Sequence, residues 1–340
     1  MTIILAIESS CDETACAVIE DGCRILSNVV SSQIDVHTKF GGVVPEVASR
    51  IHVENISAVI AEGIEQSGCS MEEIDAIAYT QGPGLVGSLH VGVQAAKTLA
   101  WMYHKPIIPI HHLTGHIYAN RFVRELKYPL MALVVSGGHT ELVWMKNDWD
   151  FNVIGTTTDD AIGEAYDKVA RVLGLGYPGG PAIDKLAKEG KPHYTLPVPK
   201  TQNDFDFSFS GLKTAVLQLA DREKRKGNEV DPADLAWCFQ ETALGGLVKK
   251  TVQAVKEYHP AMLVLAGGVA ANSRLRVMIE EEMKEVPETE LIIPPLKYCT
   301  DNAAMIGASA YVAWQHGLFG TLDAAADPGL EMPCEETDCS

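Results

Sequence analysis

Leu130-Met131-Ala132-Leu133-Val134-Val135-Ser136-Gly137-Gly138-His139-Thr140-Glu141-Leu142-Val143-Trp144-Met145 is the stretch whose reading decides the fold. Its first six residues are apolar and predict a buried strand. Ser136–His139 makes a tight turn, Thr140–Met145 returns, and Phe151–Thr156 follows as a third strand. The chain opens on the same pattern. Ile3–Ile7 is apolar, Glu8-Ser9-Ser10-Cys11-Asp12-Glu13 is a polar turn, Thr14–Ile19 returns, and Arg24–Val30 is a third strand. Helices and strands then alternate in both halves. In the first, a helix over Val43–Ile64 precedes a strand at Ile74–Tyr79. A helix carrying Leu89, Val93, Ala96, Ala100 and Tyr103 on one face then leads to a strand at Ile107–Ile110. In the second, helices at Asp159–Leu173, from Pro181 and at Asp234–Tyr258 precede a strand at Met262–Ala266. A helix at Asn272–Val286, a strand at Leu291–Ile293 and a helix at Asp301–Gln315 follow.

A three-stranded meander followed by alternating elements, given twice, predicts a duplicated α/β unit with a mixed sheet in each copy. That is the arrangement of the actin, Hsp70 and sugar-kinase class, two ribonuclease-H-like domains with a nucleotide in the cleft between them. One large doubly wound domain is the alternative. The expected division is 1–128 and 129–299, with a helix at 300–318 completing the first domain and a patternless, frayed tail over 320–340. A length of 340 residues suits two domains, and 46% hydrophobic with 21% charged residues is ordinary globular composition. No apolar run approaches a membrane span. Cysteines at 11, 16, 23, 69, 238, 299, 334 and 339 form no Cys-x-x-Cys pair, which reads as reduced thiols in the cytoplasm. A net charge of −18 excludes a broad nucleic-acid-coating surface and leaves room only for a local basic patch. Arg222, Lys224, Arg225 and Lys226 read as a solvated helix end.

The chemistry-bearing residues lie at the turns. If a helix begins near His111 and runs through Arg124, His112 and His116 fall one turn apart on one face, where two imidazoles can close on one metal ion or simply form a polar face. Thr300-Asp301-Asn302 opens the last helix, and its aspartate can cap that helix or serve as a carboxylate ligand. Gly137 and Gly138 allow backbone N–H groups to approach a phosphate closely. Ala266-Gly267-Gly268 runs from a strand toward a helix, with Asn272 as cap or ligand contact. Tyr177-Pro178-Gly179-Gly180-Pro181 also precedes a helix, with Asp184 one turn inside. Asp167 lies on the helix before it. The turn Glu8–Glu13 holds three carboxylates able to position a cation or accept a proton.

Taken together these motifs resemble the bacterial TsaD family, the tRNA N6-adenosine threonylcarbamoyltransferases, whose archaeal and eukaryotic counterpart sits in the KEOPS complex. The resemblance rests on IESSCDET at 7–14, GGVVPEVASR at 41–50, YTQGPGLVGSL at 79–89, HHLTGH at 111–116 and LVVSGGHTEL at 133–142. It continues through AIGEAYDKVARVLGLGYPGGPAID at 161–184, FDFSFSGLKTA at 205–215, LAGGVAANSRLR at 265–276 and CTDNAAMIGASAY at 299–311. It implies the actin-like two-domain fold. It also implies a divalent ion, iron or zinc in its place, on His112, His116 and Asp301. Val134, Val135, Ser136, Gly137, Gly138, Asp167, Gly180, Asp184 and Asn272 would bind threonylcarbamoyl-AMP. The implied partners are tRNA, a smaller paralogous subunit TsaB and a P-loop ATPase TsaE. Many members carry Glu where this chain has Thr114, so no catalytic role is carried over there, and the general base is expected at Asp12 or Glu13. The older protease label of the family is disfavoured, because Leu113 stands where a zinc protease needs glutamate. A nucleotide-hydrolysing ATPase or kinase of the same fold and a nucleotide-gated scaffold remain as rivals.

Overall fold

A computed structural model describes residues 1–333. Its elements run β1 (Ile3–Glu8), β2 (Glu13–Glu20), β3 (Arg24–Ser32), α1 (Ile34–Thr38), α2 (Pro45–Ser67), β4 (Ala76–Gly82), α3 (Val86–Tyr103), β5 (Ile107–His111) and α4 (His112–Tyr118). They continue with β6 (Leu130–Val135), β7 (Thr140–Met145), β8 (Asn152–Thr156), α5 (Ile162–Val172), α6 (Gly179–Ala187), α7 (Ser210–Arg225) and α8 (Pro232–Tyr258). The chain closes with β9 (Met262–Ala266), α9 (Ser273–Glu282), β10 (Glu290–Ile292) and α10 (Ala303–Gln315). One compact unit comprises Met1–Leu126, Asp148–Phe151 and the chain from Thr300 onward; the other comprises Lys127–Asn147 and Asn152–Cys299.

The doubled meander is borne out strand for strand. The first sheet has the order β3-β2-β1-β4-β5 and the second β10-β9-β6-β7-β8, the same sequence of strands read from the opposite edge. In both, the opening three strands pair antiparallel and the later two add parallel. Strands buried on two faces should be apolar throughout rather than alternating, and β1 and β6 are buried along their whole length. Alternate residues of β1 serve different cores. Leu5 and Ile7 pack in the cluster that includes α2 and α3, whereas Ile4 and Ala6 pack with Ala303, Ala304, Ile306 and Ala310 of α10. In the second unit Leu133 sits fully buried in a core shared with α5 to α9. Leu133→Ala is expected to cost about 2–5 kcal/mol, read from the urea midpoint at unchanged slope.

Two local readings change, and one holds. The histidine helix stops at Tyr118 and tightens into a 3₁₀ turn over Ala119–Phe122, where the Asn120 side-chain amide donates to the Ile117 carbonyl. The basic run is a helix end, the last turn and cap of Ser210–Arg225, where Arg222 and Lys226 both lie against Glu223. Among the described residues after Gly320 there is no helix or strand, yet over 320–330 the chain does not fray. Gly320 N–H donates to the Ile107 carbonyl, Asp327 N–H to that of Gln81, and the Gln81 side-chain amide to that of Ala325. Satisfied backbone groups hold this stretch where periodicity is silent. The cysteines at 11, 16, 23, 69, 238 and 299 are free thiols; Cys334 and Cys339 lie outside the described residues. Among the described residues no helix is long and apolar enough to cross a membrane.

Candidate functional site

In the first unit, β5 delivers its last residue directly into α4, so His112 stands at the helix start and His116 one turn on. The third group arrives from far along the chain. Helix α10 is capped by Asn302, whose Oδ1 accepts from Met305 N–H at 3.1 Å. The cap position is therefore filled by Asn302, and the neighbouring Asp301 is released toward the histidines. Its Oδ1 lies 3.1 Å from His116 Nε2 and 3.5 Å from His112 Nε2. Gly115 eases this approach: a Cβ there would stand 2.9 Å from Ile306 Cδ1 and 3.2 Å from Met305 Cγ, so side chains of α10 would have to shift to admit it. One ligand atom from each of His112, His116 and Asp301 lies within 4.8 Å of the others.

Whether these groups suit a metal can be judged from their hydrogen bonds. Both ring nitrogens of His116 are buried without a hydrogen-bond partner, although Asp301 is close. Nε2 of His116 and Oδ1 of Asp301 stand 3.1 Å apart without making a hydrogen bond, a separation that two ligands of one ion also have. His112 completes the case. Its Nδ1 faces Glu8 Oε2 at 3.1 Å and its Nε2 lies 3.5 Å from Asp301 Oδ1, so with the Nδ1 proton held by Glu8, Nε2 is the nitrogen that an ion would take in exchange for a proton. Glu8 is itself fixed, accepting from Ser10 N–H at 2.5 Å and from Thr80 Oγ1 at 2.6 Å. The residues fit a divalent cation.

The electrostatics agree. Burial disfavours a charged His112, but Asp301 and Glu8 overcome it and hold the imidazole well above its usual range. Burial likewise opposes ionisation of Asp301, and the two histidines nevertheless keep its carboxyl far below the usual value. Glu13 goes the other way, pushed up to about 10 by burial and by the neighbouring carboxylates of Asp301 and Asp12. The carboxylate turn is thus short of positive charge. A divalent ion would supply it and would pull these protons off.

The second unit brings the other sequence-predicted residues together. Pairing of Val134 with Ala266 sets the Ser136–Gly138 turn beside Gly267, whose left-handed backbone (φ 90°) leaves no room for a Cβ against the Val135 carbonyl. Ser136 N–H is spent on the His139 carbonyl at 2.9 Å, and a Cβ on Gly137 or Gly138 would meet nothing within 4 Å, so the glycine side of the turn is open. Asp167 accepts from Gly179 N–H at 2.7 Å, which ties α5 to the glycine turn. Asp184 accepts from Ser273 Oγ at 3.0 Å. Asn272 does what a cap does: its Oδ1 accepts from Arg274 and Leu275 N–H, while its Nδ2 donates to Gln240 Oε1 at 3.0 Å. Asp167, Gly179-Gly180, Asp184 and Asn272 therefore form one linked wall through α5, α6 and α9.

Two residues escaped the sequence reading. Glu8 was seen only as one acid among three, with nothing to mark it as the partner of a histidine 104 positions away. His52, on α2, contacts Thr14 Oγ1 at 2.7 Å and the Cys11 carbonyl at 2.9 Å, and so holds the carboxylate turn from behind. Burial lowers its proton affinity, which keeps it neutral for that task. A buried histidine inside a helical pattern carries no sequence signal of this kind.

The repeated sheets, each flanked by helices, define an α/β protein of the actin-like class. Solved structures agree on the fold. The activator of the 2-hydroxyisocaproyl-CoA dehydratase from Clostridium difficile matches with a TM-score of 0.53 at 13% identity, over 93% of this chain and 97% of that one. HypF from T. kodakarensis matches with a TM-score of 0.64 at 14% identity, over 93% of this chain and 48% of that one. The profile described as "TsaD: tRNA N6-adenosine threonylcarbamoyltransferase" matches residues 24–308. A tRNA N6-adenosine threonylcarbamoyltransferase of Geobacillus kaustophilus is 56% identical over 97% of this chain and 96% of its own length. The chain belongs to the TsaD family.

Proposed function

We propose that this protein transfers the threonylcarbamoyl group of threonylcarbamoyl-AMP to N6 of the adenosine next to the anticodon in tRNAs reading ANN codons. The observation that carries the proposal is the His112–His116–Asp301 cluster, backed by Glu8, in a chain 56% identical to a transferase of that name. In the reaction the adenine N6 forms a bond to the carbamoyl carbonyl carbon. The bond from that carbon to the phosphate oxygen breaks, AMP leaves, and one N6 proton passes to a base. A divalent ion, iron or zinc in its place, would supply Lewis-acid stabilisation of developing negative charge.

The chain's own groups do the rest. His112, His116 and Asp301 would hold the ion, and Glu8 orients His112 for it. Asp12 or Glu13 is the carboxylate proposed to accept the N6 proton, Glu13 only where a bound ion brings its carboxyl down from about 10. In the second unit, the N–H groups of Gly137 and Gly138 suit a phosphate or carbamoyl oxygen, with Val134, Val135 and Ser136 holding that turn. The wall of Asp167, Gly180, Asp184 and Asn272 suits ribose hydroxyls and an adenine amino group. With a net charge of −18 the protein needs a local or shared basic surface for tRNA. The cytoplasmic partners proposed are a smaller paralogue, TsaB, and a P-loop ATPase, TsaE. An apolar trough of about 760 Å³ between α2 and α3, lined by Val53, Ile56, Ile60, Ile64, Val91 and Leu99, supports a protein partner on the first unit.

The test supplies threonylcarbamoyl-AMP and tRNA to the wild-type protein with its partners, and to Asp301→Ala. Modified adenosine and AMP in equal amounts are expected from the wild type. Asp301→Ala is expected to lose at least about a hundredfold in rate together with its stoichiometric metal. Rapid ATP cleavage without tRNA, and no transfer, would favour the ATPase reading instead.

A further inference from the structure

We infer that the C-terminal segment 320–330 is a brace for the metal-bearing helix, and that His111 is the positioning residue through which it acts. The inference rests on the metal reading of His112, His116 and Asp301. His111 is the last residue of β5 and immediately precedes His112, so whatever fixes His111 fixes the start of α4. Both of its ring nitrogens are engaged. Nδ1 accepts from Leu113 N–H at 3.2 Å, the capping bond of α4, and must therefore be unprotonated. The proton is then on Nε2, which donates to the Leu330 carbonyl at 3.0 Å. One imidazole thus joins the cap of α4 to a residue 219 positions further along the chain.

The far end of that bond is anchored. Asp327 N–H donates to the Gln81 carbonyl at 2.9 Å, the Gln81 side-chain amide donates to the Ala325 carbonyl at 3.0 Å, and Gly84 N–H donates to the Pro328 carbonyl at 3.3 Å. Gly82, cross-strand neighbour of His111, lets the segment lie flat: a Cβ there would collide with the Asp327 carbonyl oxygen and come within 2.9 Å of Leu330 Cβ. α4 has only seven residues and cannot hold its own direction, because short helices gain little from their own hydrogen bonds. α10 holds it at Gly115 and through the Thr114–Ser309 hydroxyl contact, Glu8 holds the ring of His112, and the C-terminal segment holds its first turn at His111. Without that last hold the backbone carrying His112 can shift relative to His116 and Asp301.

The test is made in the full-length chain by titrating metal-free protein with Co²⁺ and following its visible absorption. His111→Asn keeps an oxygen that can cap Leu113 N–H but cannot reach Leu330. Gly82→Ala leaves His111 intact and displaces the segment. Each is expected to weaken Co²⁺ binding by about tenfold or more and to alter the ligand-field bands, as loss of an orienting contact does. The double variant is expected to lose no more than the weaker-binding single, since both cut one linkage. Co²⁺ affinity within about twofold of wild type in either single variant, or losses that multiply in the double, would overturn the brace. Asp301→Ala in the same titration separates the two readings. If it binds Co²⁺ as the wild type does, the metal site itself is wrong; if it does not and the His111 and Gly82 variants do, only the brace fails.

Discussion

Replacing His116 with leucine is expected to abolish metal retention and transfer without lowering the stability of the metal-free protein. His116 is 1% exposed, and neither ring nitrogen has a hydrogen-bond partner. A buried polar group left unsatisfied costs about 1–3 kcal/mol, and the Asp301 carboxylate 3.1 Å from Nε2 offsets only part of that, so in the metal-free state this imidazole adds little net stability. Leucine, of similar size and apolar, removes it, and the metal-free melting point should hold or rise by a few degrees. Function moves the other way. With one histidine and one carboxylate left, divalent-ion affinity should fall by more than about a hundredfold and the transfer rate by about a thousandfold. Metal analysis of the purified protein, thermal melts after chelation, and the transfer assay read the three effects separately. A metal-free protein destabilised by more than about 2 kcal/mol, still carrying its metal, would make His116 an ordinary core residue.

Glu141→Gln is expected to stabilise the protein by up to about 3 kcal/mol at pH 8 and by almost nothing at pH 4. Glu141 stands on β7 opposite Val134, in a cross-strand row with Thr156 and Ala266. Its Oε2 is buried with no hydrogen-bond partner, and burial pushes the carboxyl up to about 7 from an ordinary 4.5. Because the folded value is the higher one, the folded state holds the proton more tightly than the unfolded chain does. Below pH 4.5 both states are protonated and there is no cost. Between about 4.5 and 7 the unfolded chain ionises first, and stability drains away. Above 7 the full cost is present. Glutamine stays neutral throughout, so the difference between variant and wild type should open across that window in urea melts at pH 4, 6 and 8. A difference that does not change with pH would show that Glu141 is solvated when folded. A carboxyl kept at this cost one strand from Val134 belongs with the groups that stability alone would not retain.

Much of this was legible in the order of residues, and the particular cases show why. The doubled meander could be read because buried strands and glycine turns leave a local pattern, and the two sheets repeat it. His112 and His116 could be read as neighbours because helical spacing is local. Asp301 can be read as cap or ligand from sequence, and the structure gives the cap to Asn302 and sets Asp301 beside the histidines. Glu8 and His52 were invisible in their roles, since nothing near either residue names a partner tens of positions away. The tail after Gly320 misled, because backbone hydrogen bonds to Gln81 and Gly84 depend on no side-chain pattern.

The sequence by itself therefore determined the repeated α/β architecture, the two histidines on one helical face and the glycine turns able to approach a ligand. These follow from hydrophobic period, from helical pitch and from the backbone freedom of glycine. Only the tertiary structure decided which carboxylate faces the histidines, which one orients His112, and what holds the start of α4. Those contacts join residues from opposite ends of the chain. Their partners are chosen by how α10 packs against α4 and β1, a consequence of volume and hydrogen-bond satisfaction summed over the first unit rather than of any short stretch within it.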